Sequence, residues 1–163
     1  MPFEPAPLRL YTQLTEHDPL PWSWVDDQLR AAPTFWVVAV PGEPGRPPHP
    51  RPVWGVWTGE EVFVSVGSAP LRRALGGGAP VTVHPDSGTD VVVVEGTVRP
   101  SVTPDDAARA VAAYDAKYDY TYDVETYGPL ACIDPTEILA WRTAGPAGRD
   151  GFRSVGKWTA AEG

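Results

Sequence analysis

At 163 residues and 17.6 kDa the chain is the size of one domain, and 42% hydrophobic with 21% charged residues suits a globular fold with its own core rather than a disordered chain. Thirteen Lys and Arg against 21 Asp and Glu leave a net charge of −8, which argues against a nucleic-acid partner, because such binders concentrate positive charge. Twenty prolines and 16 glycines spread along the chain disfavour a helical bundle.

Residues 1–19 are Pro-rich and read as an extended N-terminal segment, with one domain over 20–163. Ser23 with Asp26 three positions on has the form of a capping box. Trp24, Val25, Leu29 and Ala32 make an apolar stripe, so a short helix is predicted over 24–32, stopped by Pro33. Residues 35–40 (FWVVAV) read as a strand and 41–50 as turn chemistry. The next strand, 51–57 (RPVWGVW), puts Arg51, Val53, Gly55 and Trp57 on one face, and Pro52 confines its start to a sheet edge or a bulge. Gly59-Glu60 turns it into a partner strand over 62–66. Ser68 then caps a helix of about eight residues, with Pro70 in its first turn and Gly76-Gly77-Gly78 stopping it.

Strands over 81–84 and 90–98 form a second hairpin, and the uniformly apolar run 91–94 suits burial on both faces. Thr103, Pro104, Asp105 and Asp106 open the strongest predicted helix, whose Ala107, Val111, Tyr114 and Tyr118 make an apolar stripe. Residues 130–134, 137–141 and 152–158 read as the remaining strands. Adjacent hairpins predict a mainly β fold, an antiparallel barrel with helices at its edges.

Three constellations carry chemistry. GSAPLRR (67–73) runs from a strand carrying Ser65 into a helix N-terminus; with Arg51 on the paired strand, Arg72 and Arg73 either complete an anion pocket or face solvent. Trp54, Trp57, Trp141 and Trp158 either wall a slot for a flat ring or belong to the barrel core. Asp115, Asp119 and Asp123 would share a face and suit a hard cation if the helix ran through them; otherwise they are a solvated helix end. Cys132 is the single cysteine, and His17, His49 and His84 are too scattered for a metal-ligand pattern. There is no nucleophile elbow, phosphate loop or dinucleotide fingerprint. The start, MPFEPAPLRL, lacks a basic region followed by an apolar one, and no apolar run approaches a bilayer span, so a cytoplasmic protein without a membrane partner is expected.

LPWSWVDDQL (20–29), FWVVAV (35–40), HPRPVWGVW (49–57), FVSVGS (63–68), VVVVEGTV (91–98), AAYDAKYD (112–119) and ILAW (138–141) follow one another with short spacings. Together, over about residues 20–158, they resemble the pyridoxamine 5′-phosphate oxidase-like family, the FMN-binding split barrels. The resemblance implies a six-stranded antiparallel Greek-key split barrel working as a homodimer. It also implies FMN or, in some branches, a deazaflavin in a groove between subunits, and oxidoreductase activity on a small-molecule substrate. It places Arg51 at the strand arginine that reaches the cofactor phosphate, and Val53 and Trp54 along the isoalloxazine ring. Val64 and Ser65 match ring and phosphate contacts of the next strand, and Trp141 an aromatic near the flavin from the second subunit. Trp158, with Lys157, is similar to the closing pair of the C-terminal strand.

The chain departs from the family at its phosphate clamp: Ser-x-Lys or Ser-Arg-Lys is usual where Ala69-Pro70-Leu71 stands here. Ser68, Arg72 and Arg73 are the nearest substitutes. Weak, salt-sensitive FMN binding is therefore expected, with the alternative of a barrel dimer that binds a ligand, or none, without redox turnover. A pyridoxamine-phosphate oxidase proper is disfavoured, because no second basic set for a substrate phosphate is found in the sequence.

Overall fold

The computed structural model describes residues 2–7, 18–39, 47–146 and 151–161; His17 and most of the 41–50 turn lie outside them. In chain order the elements are β1 (Phe3–Pro5), β2 (Asp18–Pro19), α1 (Trp22–Ala31), β3 (Phe35–Ala39), β4 (His49–Val53), β5 (Gly55–Trp57) and β6 (Val62–Ser65). Then come α2 (Ala69–Ala74), β7 (Pro80–Pro85), β8 (Asp90–Val98), α3 (Pro104–Tyr118), α4 (Val124–Tyr127), β9 (Leu130–Thr143) and β10 (Phe152–Ala160).

The strands form one sheet in the order β1-β10-β9-β8-β7-β3-β4, each of these pairs antiparallel. The 14-residue β9 does double duty. Its first residues pair β6, Ile133 with Val62 through Leu130 with Ser65, and its remainder runs between β8 and β10. β6 pairs β5, and β5 follows β4 after the single residue Trp54. The chain itself thus joins the two open sides of the barrel at Trp54. β4 is an edge there, as Pro50 and Pro52, which have no N–H to give, require.

Ten strands stand among the described residues, where the residues read as eight and the family resemblance implied a six-stranded barrel. The strand predicted over 51–57 breaks at Trp54, and residues 130–134 and 137–141 fuse into β9. β1 and β2 add to β10, and Phe3 is buried in the core, stacked on Trp22 at 5.1 Å.

Alternation explains the interior. Phe35, Val37 and Ala39 of β3 point inward with Val81, Val83, Val92, Val94 and Ile138, and α1 closes one end with Val25 and Leu29. β6 is buried on both faces. Val62 and Val64 join this core, whereas Phe63, with Val56 of β5, faces outward against Ala110 and Tyr114 of α3.

α1 begins at Trp22 rather than 24, after Pro21 and without a side-chain cap. The capping box expected of Ser23 and Asp26 does not form, because Asp26 accepts instead from Trp57 Nε1 and from Arg30 Nε, each at 2.7 Å. α2 is six residues long and is capped by Ser68, as expected. α3 has the predicted start in full: Thr103 Oγ1 accepts the Asp106 N–H, the Asp106 carboxylate accepts the Thr103 N–H, and Pro104 is the first helical residue. Thr103→Ala is expected to cost about 1 kcal/mol, read as a lower midpoint in urea unfolding; an unchanged midpoint would show that the cap contributes nothing.

Candidate functional site

The break at Trp54 is fixed from outside the barrel by α3. Tyr114 Oη donates to Trp54 O at 2.7 Å, Lys117 Nζ donates to Gly55 O at 2.7 Å, and Tyr118 Oη accepts the Gly55 N–H at 3.2 Å. The same Tyr118 hydroxyl lies 2.9 Å from both Gly55 O and Pro33 O. From inside, Ser65 N–H donates to Trp54 O at 3.0 Å. Held this way, the Trp54 indole stands 43% exposed, packed against Tyr118, Tyr120 and Tyr127 with ring centres 5.6–5.8 Å apart. Beside it opens a cleft of about 400 Å³ lined by Thr34, Pro52, Val53, Trp54 and Ser65.

Among the residues the sequence singled out, Val53, Trp54 and Ser65 therefore meet at one cleft. Ser65 Oγ donates to Tyr127 O at 2.6 Å and keeps its lone pairs. Val64, between them on β6, is fully buried in the core. Arg51 is exposed on β4, its Nη1 donating to Pro50 O at 2.8 Å. Arg72 and Arg73 are exposed on α2, and Arg72 Nη1 turns back onto Val66 O and Gly67 O at 3.3 and 3.2 Å. The first turn of α2 has few amides left for an anion. Leu71 N–H is on Ser68 Oγ, Arg72 N–H is on Ser68 O, and Pro70 has none.

The four tryptophans do not share a slot. Trp57 and Trp158 are 3% exposed in the core around Trp22, and Trp141 lies half-buried on β9 between Val91 and Val155. A second cleft, about 490 Å³, is lined by Trp22, Trp158, Pro5, Pro21 and Lys157 among others, with Lys157 Nζ paired to Glu137 at 2.6 Å. The aspartate face does not form. α3 ends at Asp119 in the left-handed conformation (φ 53°), Asp115 accepts the Tyr122 N–H, and Asp123 caps α4 through Glu125 and Thr126.

One group of metal-ligating type occurs among the described residues, Glu61, Cys132 and Asp134, and its carboxylates already hold Arg99. Burial pushes the Cys132 thiol up to about 12, so it stays protonated near neutral pH.

The sequence reading missed Thr34, Tyr114, Lys117 and Tyr118 as parts of the site. Burial lowers the Lys117 ammonium to about 8, and it sits 5.0 and 5.2 Å from the Phe35 and Tyr118 ring centres. The available signal was the Tyr-x-x-Lys-Tyr spacing, which places all three on one side of α3.

No family model matches the chain, and no curated protein matches its sequence. Its fold is similar to that of the FAD binding protein from Mycobacterium smegmatis, at 18% identity and TM-score 0.54, over 73% of this chain and 92% of that one. It is also similar to a nimc/nima family protein from Clostridium acetobutylicum, at 15% identity and TM-score 0.52, over 76% and 87%. At such identities the likeness speaks to fold alone, and the fold is the antiparallel split barrel with flanking helices. No helix among the described residues is long and apolar enough to cross a membrane.

Proposed function

We propose that the protein binds a flavin-type cofactor, FMN or a deazaflavin, in the Trp54 cleft and works as a homodimeric oxidoreductase on a small molecule. The cleft carries this reading. Three positions that the family resemblance assigns to the cofactor, Val53, Trp54 and Ser65, converge there from two strands. Its volume falls within the roughly 300–1,000 Å³ of ordinary ligand pockets. The FAD binding protein from Mycobacterium smegmatis, which shares the fold, supports a flavin by analogy.

The residues present fit the ring well and the phosphate in part. An exposed indole offers a stacking face, and Ser65 Oγ offers lone pairs along its edge. For the phosphate, Arg51 and Arg72 retain donors beyond those spent on carbonyls, but they stand outside the cleft lining. A bound flavin would supply the hydride exchange, while the chain orients it and excludes water. The homodimer rests on the family resemblance, whose cofactor groove lies between two subunits; Trp54, 43% exposed, leaves its cleft open to such a partner.

Titrating the purified protein into FMN, FAD and a deazaflavin while following flavin fluorescence tests the reading. Saturable binding is expected, weakened by salt, with the protein sedimenting as a dimer. Trp54→Ala should cost about 1–2 kcal/mol, roughly five- to thirty-fold in affinity. Absence of binding by all three up to about 1 mM, where association is worth only about 4 kcal/mol, would overturn it.

One observation favours the second reading, a barrel dimer that binds a ring without turnover. Leu71, at a clamp position, is 2% exposed in the core and cannot present a polar group to a phosphate. A cofactor that binds yet is never reduced by a nicotinamide donor would support that reading over the first.

A further inference from the structure

The two walls of the Trp54 cleft come from different parts of the chain. Thr34 lies between α1 and β3; Val53 ends β4 and Trp54 follows it. On one side the β3–β4 ladder joins them, ending at the pair Phe35 with Val53, and beyond that pair no ladder does. Beyond the break, what bridges them is a side chain from α3. Tyr118 Oη reaches Pro33 O, one residue before Thr34, and Gly55 O, one residue after Trp54, both at 2.9 Å, and accepts the Gly55 N–H at 3.2 Å. A single hydroxyl proton is shared between the walls. Gly55 O has a second donor in Lys117 Nζ, so that proton is available to Pro33 O.

We propose that Tyr118 is the positioning residue of this cleft: its hydroxyl ties the Thr34 wall to the Trp54 wall and so sets the gap that a planar ring enters. The identity of the ring rests on the flavin reading; the tie itself does not. Tyr118 touches no cleft volume and acts through the backbone on either side. Removing its hydroxyl while keeping the ring leaves the stacking on Trp54 at 5.8 Å and on Tyr114 at 5.6 Å in place. It also leaves Gly55 O bonded to Lys117, and Pro33 lies on the exposed side, where water replaces the lost donor. The walls separate, but the fold has little reason to fail.

The control is Tyr120→Phe. It deletes a hydroxyl from the same aromatic cluster, on a ring packed against Trp54 at 5.6 Å, and that hydroxyl is buried and bonds neither wall.

The experiment is fluorine NMR of the full chain labelled with 5-fluorotryptophan, with the Trp54 resonance assigned by its loss in Trp54→Phe. In Tyr118→Phe the Trp54 resonance should move by more than its linewidth, while those of Trp57 and Trp158 stay in place. In Tyr120→Phe all three should stay. Alongside, FMN affinity should fall about ten-fold in Tyr118→Phe and hold in Tyr120→Phe. An unmoved Trp54 resonance in Tyr118→Phe, or an equal shift in Tyr120→Phe, would overturn the proposal. If the unmutated protein binds no flavin, the functional reading fails and the resonance alone decides the role of Tyr118.

Discussion

Arg99→Met is expected to lower the melting temperature at pH 7 by roughly 5–10 °C. Arg99 sits where β8 ends, at the centre of a cluster drawn from four elements. Nη2 pairs with Glu61 at 2.7 Å, Nη1 pairs with Asp106 at 3.0 Å, and Nε and Nη2 together hold the Asp134 carboxylate. Arg109 completes the network through Glu61 at 3.0 Å and Asp106 at 2.6 Å. Glu61 and Asp106 are largely buried side chains, about a tenth exposed, and Arg99 is a quarter exposed. Its removal leaves three carboxylates facing one guanidinium. Breaking a fully buried pair costs about 3–5 kcal/mol; partial exposure here brings the expected loss to about 2–3 kcal/mol, and each kcal/mol is worth roughly 2–4 °C at this chain length.

The pH dependence follows from the same contacts. Hydrogen bonds from the Arg109 and Thr103 side chains hold the Asp106 carboxyl well below the usual carboxylate range. Burial pushes the Glu61 carboxyl up, but hydrogen bonds from Arg99 and Arg109 outweigh it and leave Glu61 lowered. Groups depressed in the folded state stabilise it above their unfolded values, near 4, and lose that contribution as pH falls through the folded values. The gap in melting temperature between the unmutated protein and Arg99→Met should therefore be widest near pH 7 and should shrink on acidification below about pH 4. Thermal melts followed by circular dichroism from pH 3 to 8 would read this; a gap that is absent at pH 7, or that grows toward acid, would remove the cluster from the account of stability.

None of that cluster was legible in the sequence, whereas much of the framework was. The strands carrying Phe35, Val62 to Val64 and Val91 to Val94 could be read because burial of a β-sheet writes itself into alternating or continuous β-branched and aromatic runs. The start of α3 could be read because capping is a local bond between neighbours in sequence. Asp26 shows the limit. Its spacing from Ser23 satisfied the local rule, but Trp57 Nε1, thirty-one positions away, offered a better partner from inside the fold. The candidate site has the same split character. Val53, Trp54 and Ser65 came from resemblance along two strands. For Tyr118 and Lys117 the spacing on α3 shows only that they share a face, since their bonds to Gly55 span more than sixty residues and nothing in the spacing names that partner. Tyrosines at helical spacing read as core stripe, which Tyr114 is.

Gly55→Ala is expected to destabilise the protein by about 2–3 kcal/mol, the upper range for overpacking a filled interior, and to disturb the cleft as well. Gly55 is the first residue after the break, paired with Val64 across β5 and β6. A Cβ there would stand 2.8 Å from Phe35 Cδ2, 2.9 Å from Phe63 O and 3.2 Å from Val64 Cγ1. Two of those neighbours belong to fully buried side chains, and the third is a backbone oxygen, so none moves cheaply. The strain falls on the residue whose N–H and C=O are gripped by Tyr118 and Lys117 and whose predecessor aims the indole. Gly88→Ala is the matched control. It is an exposed turn position with nothing within 4 Å of the new methyl, and its midpoint should stay within about 0.5 kcal/mol of the unmutated value. Urea unfolding gives the stabilities, and the fluorine resonance of Trp54 in the folded state gives the cleft. If Gly55→Ala unfolds at the unmutated midpoint, the approach of β5 to Phe35 and Phe63 is looser than described. If it is destabilised but the Trp54 resonance stays in place, the direction of the indole is set by the α3 hydroxyl and ammonium alone, and the close packing of the strand beneath serves stability without serving the site.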